Sequence, residues 1–218
     1  MVTSIKAGGT ATANQKQHTP AESDFRQTCI YFANLVLWRN SDQPRERLTG
    51  VDMLLRFASL TGIFDDGELA AMRQRAEESP EEAQAALERA KVAREVMYRI
   101  LFSCANQLQA APADVALLND TVAEAQAQVQ LAPTGETERF EWRWKSQTPQ
   151  FDMVLWAAAR SAAELLTSEE LNKVKSCPGE GCGYLFMDLS RNGKRRWCEM
   201  DVCGNRHKVK RFRQSHQR

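Results

Sequence analysis

Histidine is scarce in this chain, and its distribution limits the chemistry that the protein can perform. The 218 residues include three histidines, none of them between residues 23 and 167. The same stretch lacks a phosphate-binding P-loop and the glycine-rich fingerprint of a dinucleotide-binding turn. Because the sequence offers no catalytic constellation, we expect the protein not to be an enzyme.

Long apolar runs are also missing. No segment approaches the roughly 20 apolar residues that a transmembrane helix needs. Residues 1–22 are rich in Thr, Ala, Gln and Gly and lack the apolar stretch of a signal peptide. We expect this segment to be a disordered tail and the protein to be cytoplasmic, without membrane contact.

Cysteine, in contrast, is concentrated near the C-terminus. Cys177 and Cys182 form one close pair, Cys198 and Cys203 form a second, and fifteen residues separate the pairs. Each pair can supply two thiolates from one turn to a tetrahedral zinc ion. Disulfides fit poorly, because nothing marks the chain as secreted. We predict one structural Zn²⁺ with these four ligands, a closed site without an open position for hydrolytic chemistry.

The other thiols and histidines have simpler explanations. His207 follows Cys203 by four residues and is a possible substitute ligand, but four cysteines already complete a structural site. Cys29 and Cys104 lie at apolar positions of predicted helices, where we expect them to be small core residues.

Charge divides the chain into two parts. The formal net charge is +1, yet from Lys175 onward eleven Lys and Arg residues face four Asp and Glu residues. This asymmetry indicates a module that binds a polyanion, joined to a body with another task. Nucleic acid is therefore the expected partner of the cysteine-rich module.

The residues around the cysteines predict a small fold. We expect residues 184–187 and 195–198 to be the strands of a β-hairpin, with residues 190–194 as its turn. Asp201 is the expected N-cap of a following helix, in which Val209 and Phe212 would face the hairpin. A second cysteine pair at the start of a helix resembles a treble-clef zinc finger.

The basic residues of this module are the candidate contacts to nucleic acid. Most would bind phosphates and give a salt-dependent affinity, whereas Asn205 and Arg206 are also able to contact base edges. The alternatives are that Arg206 pairs with Asp188 and that Asn205 braces the zinc loop. Phe186 and Trp197 are expected in the core of the module. The full set is Arg191, Lys194, Arg195, Arg196, Asn205, Arg206, Lys208, Lys210, Arg211 and Arg213.

Apolar periodicity predicts a helical body. The predicted helices run from residue 23 to about 38, 51 to 61, 66 to 78, 80 to about 108, 112 to 127, and from about 149 to 167. A short hairpin joins residues 129–131 to 139–144. The fold class is therefore mainly α: a bundle-like helical domain (residues 23–167) with a short β-hairpin, followed by a small zinc module (residues 168–218) built of a β-hairpin and a helix.

Asn34 is a polar residue beside the apolar stripe of the first predicted helix. It is either exposed, a satisfied hydrogen-bonding group of the core, or part of a small-molecule pocket with Trp38 and Arg39.

The stretch from Cys177 to Arg213, with the tetrapeptide Cys203–Arg206 (C-G-N-R), resembles the CGNR zinc-finger family. Residues 29–34, 93–102 and 116–120 resemble, more loosely, the ABATE domain that usually precedes this finger. That family commonly has Thr after the asparagine, where this chain has Leu35. The resemblance implies a bacterial, stress-induced transcription regulator whose finger binds DNA and whose body has a sensory role.

We therefore predict a non-enzymatic regulator of transcription that binds duplex DNA. The helical body would provide ligand sensing, dimerisation or both, because one small finger offers little interface area. Two alternatives remain open: an RNA-binding protein, and a protein-interaction adaptor whose zinc module is purely structural.

Overall fold

The computed structural model describes residues 25–133 and 140–215. The predicted tail at residues 1–22 lies outside them. The helices are α1 (Thr28–Ala33), α2 (Val51–Thr61), α3 (Asp66–Glu78), α4 (Pro80–Ala105), α5 (Pro112–Ala127), α6 (Met153–Leu166) and α7 (Asn205–Ser215). The strands are β1 (Val36–Leu37), β2 (Arg45–Glu46), β3 (Val129–Pro133), β4 (Phe140–Trp144), β5 (Val174–Ser176) and β6 (Leu185–Met187). They form the antiparallel pairs β1–β2, β3–β4 and β5–β6. The mainly helical fold class is confirmed.

Local chemistry explains where several helices begin and end. α2 ends where Gly62 adopts a left-handed φ of 67°, which glycine reaches without steric cost. α3 begins with a capping box: Asp65 accepts a hydrogen bond from the amide of Glu68, and the Glu68 carboxylate accepts one from the amide of Asp65. α4 begins with Pro80 and two glutamates, which suit the N-terminal end of the helix dipole. The predicted bounds of α2, α3 and α5 are confirmed.

The first helix is shorter than predicted. It ends at Ala33, and the chain continues as β1, which pairs with β2. Trp38 follows with a positive φ of 53°. The amides of Arg39 and Asn40 then donate to the carbonyls of Cys182 and Gly181, at 3.1 and 3.2 Å. Helical periodicity was overridden here because the segment pairs with the zinc loop.

Two other helix ends differ from prediction. α4 ends at Ala105, so Leu108 lies outside the helix and is 60% exposed instead of facing the core. The chain turns at Gln107, which has a φ of 58°. α6 begins at Met153. The predicted hairpin of the body is confirmed as β3–β4, although its connecting turn lies outside the described residues.

One apolar core serves both parts of the chain. α6 is its centre, with eleven of fourteen residues buried. The same cluster continues beyond the predicted boundary at residue 168 and includes Val174, Leu185 and Met187 of β5 and β6. Cys29 is fully buried in this core and Cys104 packs against it. The hairpin of the cysteine-rich module is therefore a structural part of the helical body.

Asn34 joins the helical body to this hairpin. Its side chain is buried, its Nδ2 donates to the Leu185 carbonyl at 2.8 Å, and its Oδ1 accepts from the Leu185 amide at 2.9 Å. Asn34 thus completes the backbone hydrogen bonding of Leu185 at the open edge of β6, as a neighbouring strand would. The Tyr98 hydroxyl adds a bond to the Gly183 carbonyl at 2.7 Å. Of the three explanations for Asn34, a satisfied core hydrogen-bonding group is confirmed.

Among the described residues, no helix has both the length and the apolar character needed to cross a membrane.

Replacing Asn34 with Ala should lower the free energy of unfolding. The substitution leaves the buried amide and carbonyl of Leu185 without partners, which costs about 2–3 kcal/mol. Urea unfolding of the zinc-loaded protein measures the change. Asn119→Ala, at an exposed position of α5, is the matched control and should change stability by less than about 0.5 kcal/mol. Equal stability of both variants would contradict the role assigned to Asn34.

Candidate zinc centre and nucleic-acid interface

The four predicted cysteines come together in one cluster. Their sulfur atoms all lie within 4.8 Å of one another, and the Cys182–Cys198 and Cys198–Cys203 sulfur pairs are each 3.7 Å apart. A tetrahedral ion with Zn–S bonds of about 2.3 Å places its sulfurs about 3.8 Å apart. All six cysteines of the chain are free of disulfides. The cluster therefore fits one structural zinc ion.

The hairpin β5–β6 positions the first pair of cysteines. Cys177 follows β5, Cys182 comes shortly before β6, and the Cys177 amide donates to the Tyr184 carbonyl at 2.8 Å. The connecting turn runs close to the sulfurs: a Cβ atom on Gly179 would lie 3.0 Å from the Cys203 sulfur. Glycine at this point avoids a tight contact with the Cys203 sulfur.

The predicted position of the hairpin was wrong. β6 pairs with β5, and residues 195–198, predicted as the second strand, form no strand. The sequence pattern failed because the apolar partner strand lies before the first cysteine pair, where Val174 contributes to the common core.

Of the second pair, Cys203 lies on a wide helical turn and Cys198 comes shortly before it. Residues Met200–Gly204 form a π-helical turn that leads directly into α7, and Cys203 is buried within it. The helix α7 therefore starts later than predicted, and Glu199 stands at the N-cap position that was predicted for Asp201. Zinc, when bound, would cross-link this turn to the β5–β6 hairpin and hold the start of α7.

The pKa values of the four clustered thiols depend on one another. The pKa of Cys177 is lowered well below that of a free thiol because the thiols of Cys182 and Cys198 donate hydrogen bonds to its sulfur. The hydrogen bond to Cys177 raises the pKa of Cys182 and also that of Cys198. Burial raises the pKa of Cys203. Four thiolates can share this volume only with a cation to neutralise them, which is what the binding of a divalent metal provides.

Asp188 organises the loop between the cysteine pairs. Its side chain is buried, and its carboxylate accepts from Lys175 Nζ at 2.5 Å, from the Ser190 amide at 3.0 Å and from the Arg195 amide at 2.9 Å. The Lys175 contact, followed by that of Ser190, holds the pKa of Asp188 well below its usual range. The predicted alternative of an Arg206–Asp188 pair was wrong, since Lys175 occupies that place.

Arg195 is exposed, and its side chain lies against the zinc loop. Its guanidinium donates to the carbonyls of Trp197 and Cys198 and lies 4.8 Å from the centre of the Phe186 ring. Phe186 is buried beside the cysteines and Trp197 packs against the same cluster, as predicted. Arg195 therefore has a bracing role, which is separate from the nucleic-acid contact predicted for it.

One side of α7 faces the zinc loop. Arg206 lies 4.6 Å from the centre of the Trp38 ring, the His207 ring lies 4.9 Å from that of Trp197, and Lys210 pairs with Glu180 at 2.8 Å. His207 thus packs on an aromatic ring and does not belong to the sulfur cluster. Helical spacing places these residues together, with the helix seated over the turn between Cys177 and Cys182.

The other side of α7 is open. Val209 and Phe212 are 49% and 63% exposed, so the prediction that they face the hairpin was wrong. The amide of Asn205 reaches the Asp201 carbonyl at 3.4 Å, a weak brace that leaves the residue exposed. Within the described residues, the following exposed cations form no ion pair: Arg191, Lys194, Arg196, Lys208, Arg211 and Arg213.

A groove of about 450 Å³ separates part of the body from the zinc module. We call it the finger–body groove. Of the three residues predicted for a ligand pocket, Asn34 and Trp38 line this groove and Arg39 does not. Arg39 instead pairs with Glu95 at 2.5 Å and lies 3.8 Å from the centre of the Tyr98 ring. Trp38 also lines the cleft beneath α7.

Sequence reasoning missed two contacts of this site. Asp188, followed by Ser190 and a turn, has the pattern of a carboxylate that caps its own loop, and this signal could have identified it. The stacking of Arg206 on Trp38 joins residues far apart in the chain, and no local pattern indicates it.

The fold and the sulfur cluster define a zinc-finger protein with a helical N-terminal body. Comparison with known families agrees. Residues 26–169 match the family ABATE, described as "Putative stress-induced transcription regulator", and residues 173–216 match the CGNR zinc finger. The first match covers more than half of the chain, so the chain belongs to the ABATE family, with a CGNR finger following. The resemblance seen in the sequence is confirmed, in the same order. A search of the curated proteins found no match.

Loss of one ligand should abolish zinc binding. We expect Cys203→Ser to contain less than one tenth of the zinc of the parent protein and to melt at a lower temperature, because metal binding and folding share one free energy. Elemental analysis after gel filtration gives the metal content. Cys104→Ser, outside the sulfur cluster, is the control and should retain one zinc per chain. A fully metallated Cys203→Ser protein would overturn the assignment.

Asp188→Asn should loosen the loop between the cysteine pairs and accelerate zinc transfer to a chelator. Because the folded-state pKa of Asp188 is depressed, its contribution is complete above its ordinary pKa and disappears as pH falls through the folded value. The difference between variant and parent should therefore be full at pH 7. Chelator-competition kinetics measure it, with Asp201→Asn, exposed on the neighbouring turn, as control.

Proposed function

We propose that the chain is a non-enzymatic regulator of transcription that binds duplex DNA through its zinc finger. One observation carries this proposal: α7 presents five basic side chains and no acidic one in eleven residues, none of them buried, on a helix whose start is fixed by the zinc centre. A polyanion is the partner that such a helix fits. The family description supports the same role in transcription.

The open side of α7 is the proposed contact face. Asn205, Lys208, Val209 and Phe212 share it by helical spacing, and Arg213 flanks it. Lys208 and Arg213 would bind phosphates. Asn205 would contact a base edge, and Val209 and Phe212 would contact thymine methyl groups in the major groove. Arg191, Lys194 and Arg196 on the preceding loop would add phosphate contacts. Arg206 and Lys210, held by Trp38 and Glu180, would position the helix.

The body would supply dimerisation. The β3–β4 hairpin carries one apolar face. At the base of the hairpin this face is formed by Val129, which is buried, and Trp144, which packs against the core. Further along the hairpin it is formed by the exposed side chains of Leu131, Trp142 and Phe140. Exposed apolar side chains in one patch are typical of a protein–protein contact. Two fingers in a homodimer would enlarge the interface with DNA.

Reversing two charges on the open side should weaken DNA binding and its dependence on salt. For Lys208→Glu/Arg213→Glu we expect the slope of log affinity against log salt to fall by about 2, because each lost phosphate contact removes about 0.9. Fluorescence anisotropy with a random 30-base-pair duplex, across a salt series, measures the slope.

The matched control is Arg73→Glu/Lys145→Glu, a reversal of two exposed charges on the body that keeps the same net charge. This control should retain the parent slope. An equal loss in both variants would indicate only a net-charge effect, and the absence of binding by the zinc-loaded parent even at low salt would rule out the proposal.

A second candidate is binding to single-stranded nucleic acid, including RNA. Phe212, an exposed aromatic on a basic helix, favours it, because bases stack on such side chains. Competition of the labelled duplex with single-stranded RNA and DNA separates the two. If single strands are the target, Phe212→Ala should cost about 1–3 kcal/mol for them, and duplex binding should be the weaker of the two.

A further inference from the structure

The finger–body groove has the form of a ligand site. α2 supplies one wall through Met53, Phe57 and Leu60, which helical spacing places on one side, and the zinc module supplies another through Met187, Leu189 and Val202. The volume of about 450 Å³ lies within the range of small-molecule sites, which are mostly apolar with a few polar groups. The lining therefore suits a ligand with an apolar body.

Three arginines line the groove, and one of them, Arg195, already donates to the carbonyls of Trp197 and Cys198. Arg47 and Arg56 both line it, and among the described residues no carboxylate pairs with either. Several other arginines of the body have such partners: Arg94 pairs with Glu46, and Arg99 with Asp114. Glu199 is the single acidic residue of the lining. An anionic group is thus the missing complement of Arg47 and Arg56.

We propose that the finger–body groove binds a small organic anion, a carboxylate with an aromatic or aliphatic body, whose charged group pairs with Arg47 and Arg56. The apolar part lies between α2 and the zinc module. A carboxylate accepts two parallel hydrogen bonds from a guanidinium, which makes arginine the appropriate side chain for this ligand class.

Occupancy of the groove is coupled to α7 through Trp38. The Trp38 side chain lines the groove and also the cleft beneath α7, where Arg206 stacks on its ring. A ligand that shifts Trp38 changes the support of Arg206 and hence the position of the basic helix. This coupling rests on the proposed nucleic-acid function, whereas ligand binding does not.

Calorimetric titration of the zinc-loaded protein with 2-naphthoate and with octanoate tests the site. Their neutral isosteres, 2-naphthamide and octanamide, are the comparison ligands. The anions should bind at least about tenfold more tightly than the amides, because each amide lacks the charge-assisted bonds to arginine. Equal affinity for anion and amide, or no binding of either anion at millimolar concentration, refutes the proposal.

Variants locate the binding. Arg47→Gln and Arg56→Gln should each weaken naphthoate binding by about tenfold, and Arg45→Gln, two residues before Arg47 but outside the lining, should leave it unchanged. Leu60→Glu, at a partly exposed position of the groove, should also abolish binding without loss of the core, and Leu108→Glu is its exposed control. Binding that survives in Arg56→Gln and Leu60→Glu but is lost in Lys208→Glu would place the anion on α7 and refute the groove.

The coupling has a separate readout. Saturating naphthoate should change the affinity for duplex DNA by about fivefold or more, and Arg206→Lys, which keeps the charge but loses the planar stack, should reduce this effect while the salt slope stays unchanged. Ligand binding with an unaltered DNA affinity refutes the coupling alone. Absence of DNA binding in all conditions refutes the proposed function and leaves the anion site to be judged from the titrations.

Discussion

Four sulfur atoms that cannot all be ionised without a cation are the constraint on which the C-terminal part of the molecule depends. They bring a hairpin turn and a wide helical turn together. Lys175, Asp188 and Arg195 then fix the loop between them through carboxylate and carbonyl hydrogen bonds. α7 follows directly from the second pair, so its direction is set by the metal site. The basic surface is oriented by zinc and needs no buried side chain of its own.

The zinc module and the body are bound to each other through groups of different kinds. Asn34 completes the backbone bonding of β6, Tyr98 bonds to Gly183, and apolar residues of β5 and β6 belong to the common core. Trp38 connects the first loop of the body to Arg206. Any displacement of the finger relative to the body would therefore break buried hydrogen bonds and packing contacts. Trp38 thus links the finger–body groove to Arg206 of α7.

Features encoded locally were predictable from sequence. The capping box of α3, the proline and glutamates at the start of α4, the glycine after α2 and the spacing of the cysteines each act within a few residues, and the structure agrees. The predictions that were wrong share one cause: contacts between distant parts of the chain overrode the local sequence pattern. The helix predicted to reach Trp38 is interrupted because the following segment pairs with the zinc loop. β6 pairs with Val174–Ser176, and residues 195–198, predicted as its partner, form no strand. Phe212 is exposed because Arg206 and His207 lie on the side of α7 that contacts the zinc loop.

The sharing of one core has a consequence for evolution. The two family matches adjoin near residue 170 and suggest units that recombination could separate. Yet a finger excised at that point would expose Leu185 and Met187 and leave the edge of β6 unbonded, while the remaining body would keep an empty place in its core. Exchange of fingers between unrelated proteins is thereby disfavoured. Body and finger therefore form a single structural unit.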